Sequence, residues 1–190
     1  FLASRRYAEA VEALKEAIQL NPNDANAYFK LGLAHSGLSQ AEEAVVALNT
    51  GIRIKPELAD AETYYYLGNA YTALGKHAEA LESLKQAMRL MKAAKGNSET
   101  ANVSTTPSFP ALHYVTGLAY YNLQRYKNAV DELKQVIALN PKLAQAYYGL
   151  ALSYIGLGDL KSAEKQRKTL ASLDPVLAEK LIPFFSNPAP

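Results

Sequence analysis

Ala27-Tyr28-Phe29-Lys30-Leu31-Gly32-Leu33-Ala34-His35 returns three more times along this chain. The later versions are Thr63-Tyr64-Tyr65-Tyr66-Leu67-Gly68-Asn69-Ala70-Tyr71, then Leu112-His113-Tyr114-Val115-Thr116-Gly117-Leu118-Ala119-Tyr120, then Ala146-Tyr147-Tyr148-Gly149-Leu150-Ala151-Leu152-Ser153-Tyr154. A phrase repeated every few tens of residues reads as a stacked-repeat fold, because one such unit cannot cover its own apolar face and needs a neighbour.

Two independent sets of residues give the period. Pro22 and Pro56 lie 34 residues apart, and so do Pro141 and Pro175. Gly117 and Ala151, small residues where paired helices approach, are also 34 apart. The step from Gly32 to Gly68 is 36, which puts two extra residues in the turn at 57–60. The step from Gly68 to Gly117 is 49, one period plus an insertion of 15.

Apolar spacing predicts helices near 7–20, 25–37, 40–54, 60–74, 77–95, 110–123, 126–139, 143–156 and 160–173. Gly37-Leu38-Ser39, Gly75-Lys76 and Gly158-Asp159 are read as the flexible turns within pairs. Asp174-Pro175 starts one more helix, and Val176, Leu177, Leu181, Ile182 and Phe184 are expected to make it a lid over the last repeat.

The period and pattern resemble the tetratricopeptide repeat family. That family stacks helix-turn-helix units marked by a large aromatic, Leu-Gly, Tyr, Ala, an aromatic or Leu, Ala and a closing Pro. The slots read Tyr28, Leu31, Gly32, His35, Ala44, Leu48, Gly51 and Pro56 in one unit. The next reads Tyr64, Leu67, Gly68, Tyr71, Ala80, Leu84 and Ala87, with Lys92 where Pro is expected. Then come His113, Thr116, Gly117, Tyr120, Ala129, Leu133, Val136 and Pro141, and finally Tyr147, Leu150, Ala151, Tyr154, Ala163, Arg167, Leu170 and Pro175. The resemblance implies an all-α, right-handed α-solenoid with a C-terminal capping helix. The expected organisation is 1–22 as the second helix of a truncated repeat, repeats at 25–56 and 59–95, a flexible insertion at 96–109, repeats at 110–141 and 144–175, a cap at 176–185 and a tail at 186–190. Phe1 stands where the inner Tyr of a first helix is expected, so the chain reads as a fragment of a longer protein.

Bulk composition excludes more than it selects. A net charge of +2 predicts neither a nucleic-acid nor a membrane partner, and no apolar run is long enough to insert in a bilayer. Zero cysteines exclude disulfides, zinc thiolates and cysteine nucleophiles. The histidines, His35, His77 and His113, each replace a ring of the repeat pattern, so packing outweighs ligation. Glu42-Glu43 and Asp131-Glu132 are adjacent on helices and diverge, which makes poor acid/base pairs. Gly156-Leu157-Gly158 follows a helix, and a phosphate cradle needs a preceding strand. Lys161, Lys165, Arg167 and Lys168 read as a solvated basic face. Asn102-Val103-Ser104 fits a glycosylation sequon, a triplet that arises often by chance. No catalytic, metal or cofactor residues are assigned.

The resemblance also implies where ligands sit: on the inner face of the first helices. The first inner slot holds Phe29, Tyr65, Tyr114 and Tyr148; the second holds Leu33, Asn69, Leu118 and Leu152; the third holds Ser36, Thr72, Tyr121 and Ile155. The expected peptide-binding groove is therefore Phe29, Leu33, Tyr65, Asn69, Thr72, Tyr114, Leu118, Tyr121, Tyr148, Leu152 and Ile155. The same rings also sit in register for packing between helices. Relatives that hold chaperone C-terminal carboxylates place Lys, Asn and Arg in the first two slots; here only Asn69 matches, which argues against such tails. An asparagine ladder for peptide backbone is missing too. The expected function is a non-enzymatic protein or peptide interaction module. The alternatives are an assembly scaffold, with Val11, Leu14 and Ile18 of the first helix self-associating or packing on a missing N-terminal part, or a substrate-recruiting appendage of a larger enzyme.

Overall fold

Four aspartates set the helix starts. The Asp24 carboxylate accepts hydrogen bonds from the backbone N–H of Asn26 and Ala27 at 3.0 and 3.2 Å. Asp60 accepts from the Thr63 N–H and hydroxyl, Asp159 from the Ser162 N–H, and Asp174 from the Leu177 N–H. Each satisfies donors that the first helical turn leaves free, and each brings negative charge to the positive end of the helix.

The computed structural model describes residues 2–96 and 109–186. They form α1 (Leu2–Leu20), α2 (Ala25–Gly37), α3 (Ala41–Ile54), a 3₁₀ turn at Pro56–Leu58, α4 (Ala61–Ala73), α5 (His77–Gly96), α6 (Phe109–Asn122), α7 (Tyr126–Leu139), α8 (Ala144–Gly156), α9 (Leu160–Leu173), α10 (Pro175–Glu179) and α11 (Pro183–Ser186). No strand occurs among the described residues. The fold is all-α and built of helix-turn-helix repeats. The chain divides into two compact units, Phe1–Pro107 and Ser108–Pro190. The expected insertion, its sequon and the tail beyond Ser186 lie outside the described residues.

Within the first unit α2 pairs with α3 and α4 with α5; within the second α6 pairs with α7 and α8 with α9. Each of the first three pairs closes on a glycine. A Cβ at Gly32 would lie 2.4 Å from Leu48 Cγ, one at Gly68 2.6 Å from Leu84 Cγ, and one at Gly117 2.9 Å from Leu133 Cγ. The three leucines are fully buried as a result. The last pair has Ala151 and Arg167 at these positions. There the Arg167 guanidinium makes two 2.7 Å hydrogen bonds to Glu164 and lies 5.9 Å from the Phe185 ring. Hydrogen bonding to Arg167 holds the Glu164 carboxyl below its ordinary range.

The turns depart from the sequence reading in one respect. Positive φ falls at Ser39 (59°), Gly75 (71°), Gln124 (57°) and Gly158 (75°), the equivalent residue of every turn. Gly37 is the last residue of α2, and it is small because the Tyr7 ring lies 2.5 Å from where its Cβ would be. The left-handed residue of that turn is Ser39.

The lid is also different. It is two short helices, α10 and α11, and not one over 176–185. Pro183 has no N–H and its ring opposes helix continuation, so the chain turns between Glu179 and Pro183. That break shifts the covering face to Ala178 and Leu181, 2% and 0% exposed. Leu177 remains partly buried, while Val176, Ile182 and Phe184 point to solvent.

Two measurements check this packing. At Gly51 an added Cβ would lie 2.6 Å from the Phe29 ring. Gly51→Ala is expected to cost about 1–3 kcal/mol through overpacking, less the ~1 kcal/mol that alanine gains in a helix. In a Phe29→Leu background the same substitution is expected to be neutral or stabilising in urea melts; an equal cost in both backgrounds would locate the strain elsewhere. The second concerns Glu62, in the first turn of α4. Burial, then the charge of Asp60, raises its carboxyl pKa in the folded chain. A raised folded pKa means the native state holds its proton longer, so stability falls as pH rises through that range. Glu62→Gln is therefore expected to gain thermal stability relative to the wild type at pH 7, with the gain shrinking toward pH 3.

Candidate functional site

The first-helix face of the first unit is built by α2 and α4. Phe29 does not belong to it. Its ring is 7% exposed and packs in a core with Ala25, Leu48, Ala59 and Leu67. The physical reason is Gly51: the other repeats carry Ala87, Val136 and Leu170 at that position, and only the glycine leaves room for a ring. Leu33 is partly buried against the same core. Tyr65, Asn69 and Thr72 on α4 are each half-buried. Tyr65 meets Tyr66 edge-on, with ring centroids 5.5 Å apart. The Thr72 hydroxyl donates to the Gly68 carbonyl at 2.8 Å, which leaves its methyl and its acceptor lone pairs uncommitted. The Asn69 carboxamide makes no hydrogen bond to any described residue.

In the second unit the face is built by α6 and α8. Tyr114 packs partly against Val130, Leu133 and Leu150. Tyr148, Leu152 and Ile155 pack partly against Tyr147, Ala151 and Leu170. Leu118 is half-buried. Tyr121 lies against Tyr126, with ring centroids 5.6 Å apart. Burial raises the hydroxyl pKa of Tyr114, and that of Tyr121 with help from Tyr126 and Tyr148. These phenols therefore stay neutral donors across the ordinary pH range. Half-buried Tyr rings combine two properties: one side anchors in the fold, and the hydroxyl edge offers area and a donor at low entropic cost.

None of the three histidines belongs to these faces. His35 Nδ1 lies 2.6 Å from Gln40 Oε1, and His113 Nδ1 lies 2.6 Å from Glu132 Oε2. His77 Nδ1 is buried without a hydrogen-bond partner among the described residues. No group of three or more His, Cys, Asp or Glu that would hold a metal occurs among the described residues. No described helix is long and apolar enough to cross a membrane.

One feature escaped the sequence reading. A recess of about 220 Å³ opens in the first unit beside Asn69, walled by Ser36, Ser39, Ala41, Ala70 and Ala73. Its signal was present in the repeat register. The equivalent position of the second helices holds Tyr7, Ala41, His77, Tyr126 or Leu160, and Ala41 is the small one.

Comparison of the sequence with curated proteins finds no match. Among solved structures the chain is similar to MamA, at 22% identity and a TM-score of 0.72 over 91% of each chain. It is similar as well to MamA 41-end from Desulfovibrio magneticus RS-1, at 20% identity and a TM-score of 0.71, covering 91% of this chain and 92% of that one. At these identities the likeness is one of fold. Family models of the TPR repeat match residues 1–39 and 117–158, and models of the tetratricopeptide repeat match 61–90, 25–58 and 144–176. With glycine-closed helix pairs under three of these five segments, the chain belongs to the tetratricopeptide repeat family.

Proposed function

We propose that this protein-interaction module binds a peptide segment of its partner along the first-helix face of each unit, without catalysis. The observation that carries the reading is the set of half-buried rings on successive first helices: Tyr65 in the first unit, and Tyr114, Tyr121 and Tyr148 in the second. Leu33, Leu118, Leu152 and Ile155 supply apolar surface beside them, and Asn69 supplies an unspent amide. Phe29 contributes only by holding α2 in place. No cation in the first two inner slots pairs with a ligand carboxylate, so neutral or aromatic segments fit better than acidic tails. Peptides selected against the protein from a display library are expected to weaken about 30-fold, equivalent to about 2 kcal/mol, on Tyr65→Ala or Tyr114→Ala, read by fluorescence anisotropy. Selected peptides that bind both variants as well as the wild type would remove the ring face as the site.

A second reading, assembly through α1, is favoured by a separate observation. Tyr7, Ala10, Ala13 and Leu14 of α1 and Lys30, Leu33 and Ala34 of α2 line an open, mostly apolar depression of about 390 Å³. Leu48, Leu84 and Leu133, the equivalents of Leu14, are each fully buried beneath a paired first helix. Leu14 has no such helix over it among the described residues, and it stays partly exposed. A second copy seated there would make the mass from light scattering rise with concentration, and Leu14→Glu is expected to abolish the rise. A concentration-independent monomer would end this reading.

A further inference from the structure

We propose that the recess beside Asn69 receives one aromatic side chain, a tyrosine, from a polypeptide bound to the first unit. The inference rests on the reading of this unit as a peptide-binding module and names the anchor that the ligand brings.

The chain itself shows what such a space holds. Where the position equivalent to Ala41 is tyrosine, the ring packs against the glycine ending the following first helix. The Tyr7 ring comes within 2.5 Å of a Cβ built on Gly37, and the Tyr126 ring within 2.6 Å of one built on Gly156. In the second unit Tyr121 adds another ring against Tyr126. The corresponding trio in the first unit is Ser36, Ala41 and Ala73, where the other has Tyr121, Tyr126 and Gly156. Nothing grows in to replace the missing rings, and the space stands open.

Its walls choose the occupant by charge and shape. No charged residue lines it, so a lysine, arginine or carboxylate side chain entering it would lose water without gaining a partner. A neutral ring matches a neutral recess bounded by alanine methyl groups. The hydroxyl finds polar company at the rim. The Ser36 hydroxyl spends its proton on the Gly32 carbonyl at 2.9 Å and can only accept, whereas the Asn69 amide, bonded to no described residue, can both donate and accept. Asn69 can thus meet a phenol hydroxyl or the backbone next to it. Ala73 carries a methyl where Gly37 and Gly156 have none. A ring borne by Ala41 in the Tyr126 pose would collide with that methyl, so the ring that fits comes from outside and stands off by that distance.

The test uses p-cresol, the isolated tyrosine side chain, titrated into the whole protein carrying labelled alanine methyls. Saturable shifts are expected at Ala41, Ala70 and Ala73, with toluene weaker and n-butylamine without effect. Ala41→Tyr with Ala73→Gly copies the Tyr126–Gly156 pair, and it should melt no lower than wild type while losing at least tenfold in p-cresol affinity. If that double variant fails to fold, Ala73→Leu serves as the second block and carries the same expectation. No shifts at these methyls, equal shifts with n-butylamine, or shifts undiminished in the blocked protein would each overturn the assignment. The titration needs no selected peptide. A display selection that yields no binder would therefore sink the module reading and leave the recess to be judged by its own ring.

Discussion

The distance between paired helices here is fixed by a leucine side chain lying where a glycine has no Cβ. Gly32 and Leu48, Gly68 and Leu84, and Gly117 and Leu133 each bring two helices closer than any side chain at the glycine would permit. Close approach is what buries the leucine completely, and a buried leucine contributes about 1.5–3 kcal/mol relative to an exposed one. The neighbouring edge of the first helix carries residues only partly taken up by that packing, such as Tyr114 against Val130 and Leu133. Packing is thus partitioned around one helix, with the glycine edge closing the pair and the ring edge left half in water.

That partition explains what could be read from residues alone. Helix positions were legible because their boundaries have local chemical causes: Asp24, Asp60, Asp159 and Asp174 cap through their own side chains, and the prolines stop the chain. The glycine–leucine pairs were legible because both partners recur with the period. The lid was not, because periodicity from Val176 to Phe184 assumes an unbroken helix and Pro183 breaks it. Phe29 was misplaced for another reason. Its fate is decided by Gly51, twenty-two residues away, and a slot-by-slot reading treats the first inner position as equivalent in every repeat.

The division into two units has a similar origin. An insertion of 15 residues falls between Gly68 and Gly117, and the boundary at Pro107–Ser108 lies within it. Each unit completes its own pairs: α2 with α3 and α4 with α5 on one side, α6 with α7 and α8 with α9 on the other. A face assembled by neighbouring first helices therefore exists within each unit. Tyr65 with Asn69, and Tyr121 with Tyr148, are best regarded as two surfaces, each with its own chemistry.

Repeat proteins carry their individuality in departures from the repeat. Residues that obey the period, such as Ala44, Ala80, Ala129 and Ala163, are all fully buried and say nothing about a ligand. The departures are few and local. Arg167 in place of leucine pairs with Glu164 on the same helix and sets its guanidinium near the Phe185 ring. Gly51 in place of a larger residue draws Phe29 inward. Ala41 in place of tyrosine leaves a cavity beside an uncommitted amide. The first two departures are compensated within the fold, by an ion pair and by a ring. The third has no compensation among the described residues: its walls forgo the ring contacts that Tyr126 makes in the second unit, and the space stays open to solvent. The tyrosine anchor we propose would supply the missing contacts, which is why Ala41, the least conspicuous of the three, bears most directly on that proposal.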